Sequence, residues 1–244
     1  MMQLLVSVRS AAEVEPAIVG GADIIDAKEP ARGSLGAVSP ETLDEILACV
    51  PEDVALSVAL GDINRREDVI AAIGSLRLPP RRSLSFVKLG FAGVRSPRAV
   101  GRLIGAAVET AARLPSPVRV VAVAYGDGTR ADTVAPERIP QLARQAGAAG
   151  VLLDTYAKEG LSLPALLGPA RLARWVVVAR DLDLLSALAG GLGPADLEIV
   201  REAGPDVVGV RGAACEGGRE GRVVASRVRA LSEQMAAPAS GYVL

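Results

Sequence analysis

Of the chain's 27 basic residues only Lys28, Lys88 and Lys158 are lysines, and the rest are arginine. Arginine stays protonated and cannot form an imine. A lysine that is desolvated or set beside another cation can lose its proton and act as a base or a Schiff-base nucleophile. A chain that writes nearly every cation as Arg yet keeps three lysines therefore points to amine chemistry. The competing reading is a coding bias toward Arg with three chance survivors, but chance gives no reason for the lysines to share a setting. They do share one: Asp26-Ala-Lys28, Phe86-Val-Lys88-Leu-Gly90 and Leu153-Asp-Thr-Tyr-Ala-Lys158 each close or follow a short apolar run that reads as a strand.

Asp26 and Lys28 are two residues apart on one strand and so share a face. Asp154 occupies the matching end of another strand. Three ammonium groups in one cavity would repel each other and lower at least one lysine pKa toward neutrality. Asp26 and Asp154 would offset the remaining charge and relay protons. The predicted catalytic group is thus Lys28, Lys88, Asp26, Asp154 and Lys158, the environment of a lysine that forms an imine with a carbonyl substrate.

Two glycine-rich segments supply a second kind of chemistry. Gly190-Gly191 and Gly209-Val-Arg211-Gly212-Ala213-Ala-Cys215 lie late in the chain, where a barrel commonly holds phosphate on backbone amides. Gly190, Gly191, Gly212, Ala213 and Arg211 are the predicted phosphate contacts. Arg211 has two readings, a bidentate phosphate clamp or a structural cation within the barrel. Ser7, Arg9, Asp62, Tyr125 and Asp127 are secondary candidates at the same rim. Cys215 has no adjoining base and reads as a packing residue.

These residues need elements to position them. Strand-like runs are predicted over 4–8, 23–28, 55–60, 85–90, 118–125, 150–155, 184–189 and 207–211. Helical stretches fall between them at 11–20, 40–49, 66–75, 97–113, 136–146, 195–203 and 221–235. The strands are continuously apolar rather than alternating, which implies a parallel sheet covered on both faces. Eight strands and intervening helices in 244 residues, without a break in composition, indicate an α/β protein with a single (β/α)8 TIM barrel. The seventh strand is ambiguous, because 175–179 is β-branched. The Gly-Gly-Leu-Gly-Pro turn after 189 favours 184–189, leaving 170–181 as an entirely buried helix. The barrel is expected over 1–235, followed by a loose tail, 236–244. Residues 31–37 form the longest early loop and could cover the mouth. In a barrel the lysines would then stand at the C-terminal ends of strands two, four and six, where active sites are built.

Composition sets further bounds. Half the residues are hydrophobic but only 2% are aromatic, so the core must be built from Val, Leu, Ile and Ala. A net charge of -1 gives no electrostatic footprint for nucleic acid or an anionic membrane. With no His and two unrelated cysteines, a zinc site or catalytic Cys–His pair is excluded, and because an iminium on lysine is itself an electron sink, no cofactor is expected. The short apolar run at the N-terminus and the lack of a spanning stretch predict a soluble, cytoplasmic chain. Its Ala- and Val-rich surface fits a homo-oligomer.

Several segments together, namely Leu4-Leu-Val-Ser7, Gly20-Gly-Ala-Asp-Ile-Ile-Asp26-Ala-Lys28-Glu-Pro, Gly33-Ser-Leu-Gly36, Val87-Lys-Leu-Gly90, Leu153-Asp-Thr155, Lys158-Glu-Gly and Val207-Val-Gly-Val-Arg-Gly-Ala-Ala-Cys215, resemble the (5-formylfuran-3-yl)methyl phosphate synthases. The resemblance runs from residue 4 to about 235. It implies a lyase that condenses two molecules of glyceraldehyde 3-phosphate into a phosphorylated furan aldehyde, releasing one phosphate and two waters. This is the first dedicated step of methanofuran biosynthesis, in one-carbon metabolism. By the family pattern Lys28 is the Schiff-base lysine and Lys88 the proton acceptor. The alternatives are another class I aldolase acting on a sugar phosphate, a decarboxylase barrel of the orotidine-phosphate type, and a non-catalytic phosphate-binding barrel.

Overall fold

The computed structural model describes residues 2–77, 85–116 and 118–237. Eight parallel strands close into a barrel in chain order: β1 Gln3–Val8, β2 Ile24–Ala27, β3 Ala55–Asp62, β4 Ser85–Gly90, β5 Val118–Tyr125, β6 Gly150–Asp154, β7 Leu185–Leu188 and β8 Val207–Val210. Between them run α1 Val14–Val19, α2 Pro40–Cys49, α3 Arg66–Gly74, α4 Pro97–Ala111, α5 Ile139–Gln145, α6 Leu163–Leu167, α7 Pro169–Asp181 and α8 Leu197–Ala203, with α9 Ala225–Ala236 at the end. No described helix is long and apolar enough to cross a membrane.

The apolar runs divide by strand alternation into two cores. Leu4, Val6 and Val8 of β1, with Ile25 and Ala27 of β2, face the helices. Leu5, Ile24, Phe86, Val121, Leu152 and Val207 face inward and fill the base of the barrel. Helix starts follow from local chemistry. Ser39 and Ser96 each accept a hydrogen bond from the backbone N–H three residues on, and Pro40 and Pro97 take the first helical position.

The seventh strand is β7, as the glycine-rich turn implied. The helix before it, however, is not entirely buried. α7 buries Leu172, Trp175, Val176 and Ala179, while Val177 is 47% exposed. Its apolar positions recur at helical spacing and cover one stripe, and its arginines lie on the other side. Two elements were missed. α6 is one short turn, and residues 215–223 form a hairpin of β9 Cys215–Glu216 and β10 Arg222–Val223. The hairpin takes the start of the expected last helix, which instead begins at Ala225. That helix includes Ala236, the first residue of the expected tail, and 238–244 fall outside the described residues.

Candidate active site

Inward positions at the upper ends of the strands hold the charged residues. Lys28 is two residues beyond Asp26, and Lys88 and Asp154 come from β4 and β6. All are buried, Asp26 completely. Lys88 Nζ lies 2.8 Å from Asp26 Oδ1, and the Ser7 hydroxyl donates to Asp26 Oδ2 at 2.8 Å. Four residues past β6, Lys158 turns back to put Nζ 2.7 Å from Asp154 Oδ1 and also donates to the Thr155 carbonyl. The result is two carboxylate–ammonium pairs beside Lys28, which among the described residues has no carboxylate paired to it.

The electrostatics follow from that arrangement. Burial is the main force on Lys28, lowering its pKa from 10.5 to about 7. Asp154 opposes the shift, Lys88 adds to it, Asp26 opposes it and Lys158 adds again. Removal from water, more than repulsion among the ammonium groups, therefore makes this amine available. Burial would raise Asp26, but the Lys88 and Lys28 charges and the hydrogen bonds from Lys88 and Ser7 outweigh it and hold Asp26 below the usual carboxylate value. Asp154 is lowered in the same way against its own burial, chiefly by Lys158 and Lys28. Both carboxylates stay charged near neutrality.

Lys28, Lys88, Asp154 and Lys158 line one cavity of about 350 Å3, in the range of small-molecule sites. Gly190, Gly191, Gly212 and Ala213 form its far wall. That side of the cavity has room because its lining residues are small, Ala187 on β7, Ala189 just past it and Gly209 on β8. Gly190 has φ +107, and a Cβ there would meet the Thr155 amide nitrogen at 2.9 Å, so the turn requires glycine. The wall carries at most methyl side chains, which leaves its backbone accessible to an anion.

Arg211 borders the cavity but is a structural cation. Its guanidinium donates to both Glu13 carboxylate oxygens, the Ser7 carbonyl, the Arg219 carbonyl and the Gly221 carbonyl. All five N–H donors are engaged, so the predicted side-chain phosphate clamp has no donor left. The available cation is Arg219, on the hairpin. It lines the cavity, and among the described residues its hydrogen bonds run from Nη2 to the Pro30 and Gly33 carbonyls, with no carboxylate partner. Arg219 thereby ties the 31–37 loop to the hairpin. Ser34 ties the same loop to the end of β6, its Oγ 2.9 Å from the Thr155 carbonyl oxygen and 3.1 Å from Asp154 Oδ2.

The secondary candidates act as supports. Tyr125 donates to Asp62 at 2.8 Å, and Asp62 also accepts from the Ala92 amide. Burial pushes Asp62 up, and burial with the Asp62 charge pushes Tyr125 well above its usual value, so the phenol remains the donor. Asp127 accepts from the Tyr156 and Ala157 amides and so fixes the loop that carries Lys158. Arg9 bonds the Glu220 carbonyl at the surface, and Cys215 is packed out of solvent. Sequence reasoning missed Arg219, Ser34 and Ser57. Ser34 stood within the Gly33-Ser-Leu-Gly36 motif, and Ser57 was legible as a lone hydroxyl in an apolar strand. Arg219 gave no local signal.

The fold and site define a (β/α)8 barrel with a buried lysine–aspartate centre in a cavity that glycines also line. Among solved structures the barrel is similar to phosphoribosyl anthranilate isomerase from Thermotoga maritima, with TM-score 0.65 and 17% identity over 96% of this chain and 98% of that one. It is also similar to a 3-hexulose-6-phosphate synthase, with TM-score 0.57 and 22% identity over 94% and 99%. At such identities the likeness concerns the fold alone. The family is settled by sequence. The 4-HFC-P synthase profile matches residues 4–232. The (5-formylfuran-3-yl)methyl phosphate synthase of Methanothermobacter thermautotrophicus is 39% identical over 237 residues, covering 95% of this chain and 98% of that protein. The one from Methanocaldococcus jannaschii is 36% identical over 236 residues, covering 95% and 99%. The chain belongs to the 4-HFC-P synthase family.

Proposed function

We propose that this protein joins two molecules of glyceraldehyde 3-phosphate into (5-formylfuran-3-yl)methyl phosphate, with loss of one phosphate and two waters, through an imine on Lys28. The observation that carries the reading is Lys28 itself, a buried amine lining the cavity beside two Asp–Lys ion pairs, its pKa lowered by burial to about 7. About half of it is unprotonated at pH 7 and able to attack an aldehyde.

In this reading the Lys28 amine adds to the carbonyl carbon and water leaves, giving an iminium that acidifies the next carbon. The Lys88 ammonium, paired with Asp26, gives its proton to the hydroxyl that departs as water, and the Lys88 amine so formed takes the proton from the next carbon, so that an enamine results. Phosphate is lost by elimination, the carbon chain is joined to the second triose phosphate, and ring closure with dehydration gives the furan. The imine is the electron sink, so the chemistry calls for no metal or organic cofactor. The backbone of Gly190, Gly191, Gly212 and Ala213, with Arg219, would hold the phosphate groups. Lys158 and Asp154 would carry protons at the opposite side. The same reading places the protein in the cytoplasm, feeding methanofuran synthesis.

The test is incubation of purified protein with glyceraldehyde 3-phosphate, following phosphate release and furan absorbance. Equal amounts of phosphate and furan are expected, both abolished by Lys28→Arg. A borohydride-trapped lysine adduct without furan would identify a different Schiff-base aldolase and refute the proposed product.

A further inference from the structure

Ser57 is the inward residue of β3 beside Asp26, its direct cross-strand partner. On the other side its partner is Phe86. Its side chain is only 1% exposed and lines the cavity. Among the described residues its Oγ has no hydrogen-bond partner. On the cross-strand Asp26 carboxylate, Oδ2 accepts from Ser7, while Oδ1 stands 2.8 Å from Lys88 Nζ as an ion pair and, like Ser57 Oγ, has no hydrogen bond among the described residues. Below Ser57 the cavity floor is apolar, formed by Ile24, Phe86, Val121 and Leu152. A buried hydroxyl left unpaired costs stability, and a buried polar group without a protein partner calls for one from elsewhere.

Depth identifies what could reach it. Lys28 lies two residues beyond Asp26, just past the end of β2, and Ser57 lies level with Asp26. A carbon chain joined to the Lys28 amine and descending toward the Lys88–Asp26 pair presents the substituent of its second carbon at that level. We infer that Ser57 is a substrate-binding residue whose hydroxyl pairs with the hydroxyl on the carbon next to the reacting carbonyl, so that the site selects α-hydroxy aldehyde phosphates. The bond holds that carbon with its hydrogen toward Lys88. The naming of the ligand rests on the proposed function, whereas the unpaired hydroxyl in the cavity does not.

The experiment compares binding of glyceraldehyde 3-phosphate with that of 3-hydroxypropanal phosphate, which differs only in lacking this hydroxyl. Calorimetry is done on Lys28→Met, which cannot form an imine, and on Lys28→Met/Ser57→Ala. The first variant should prefer the hydroxylated ligand about tenfold, or 1.4 kcal/mol. The second should bind the two ligands alike. Thermal melting of Ser57→Ala should be unchanged or higher, because no protein hydrogen bond is lost. A preference that survives Ser57→Ala, as expected if only water pairs with the hydroxyl, overturns the inference. A lower melting temperature with equal weakening toward both ligands also overturns it, because Ser57 would then be structural. Failure of the wild type to form furan would refute the proposed function while the binding comparison still decides Ser57.

Discussion

Replacing Lys28 by Met should make the protein inactive and, at neutral pH, more stable. The side chain is nearly inaccessible at 7% exposure, and its pKa falls from 10.5 in the unfolded chain to about 7. Each unit corresponds to about 1.4 kcal/mol, so keeping this ammonium folded costs about 5 kcal/mol when it is charged in both states. The sign follows from linkage. Between pH 7 and 10.5 the unfolded chain holds the proton and the folded one does not, so this group makes stability rise with pH. The penalty is about 5 kcal/mol at pH 6, about 4 at pH 7, about 2 at pH 9 and close to nothing at pH 10.5. Met fills similar space without a charge, so Lys28→Met should remove a penalty of this form, with about 2–4 °C in melting temperature for each kcal/mol. The assay is denaturant unfolding of wild type and variant across that pH range, followed by the fluorescence of Trp175, the chain's one tryptophan. The gain should be largest at pH 6 and fade toward pH 10. A variant less stable than wild type at pH 7, or a difference independent of pH, would refute the reasoning that burial tunes this amine.

Other expectations follow from neighbouring contacts. Asp26→Asn keeps the shape but leaves Lys88 buried without its carboxylate, so it should cost about 3–5 kcal/mol in unfolding free energy and abolish turnover. Because folded Asp26 and Asp154 titrate below their ordinary values, they stabilise the protein above about pH 4, and acid titration of the wild type should show that stability lost as pH falls through their folded values. The two arginines at the mouth should separate by readout. Glu13→Ala strands the buried Arg211 and should lower the melting temperature sharply. Arg219→Gln should raise KM for the triose phosphate about tenfold with little change in melting temperature, as expected for a lost charge-assisted contact.

Most of the barrel was legible because its determinants are local. Strand runs such as 85–90 and 118–125 carry apolar residues on both faces, with few polar interruptions, and end at glycine or polar breaks, and β4 and β5 occupy those spans. Lysine usage marked the charged centre before any geometry was known, because amine chemistry restricts residue type more tightly than surface charge does. What could not be read depends on pairing across the barrel closure. Arg211 and Glu13 are 198 residues apart, and only the joining of β8 to β1 brings them together. Nothing local distinguishes an arginine that will meet a buried carboxylate from one that will meet phosphate. Arg219 reaches the cavity on a two-residue-stranded hairpin too short to leave a periodic signal. α7 reads as wholly buried if its Val run is weighed alone, whereas the helical period turns Val177 outward.

The most direct test of the account is borohydride reduction of the protein with glyceraldehyde 3-phosphate at neutral pH, followed by peptide mass spectrometry. The account predicts one covalent adduct, on the peptide carrying Lys28, with Lys88 and Lys158 unmodified and trapping increasing as pH rises through about 7. No adduct, or an adduct on either of the other two lysines, would contradict it.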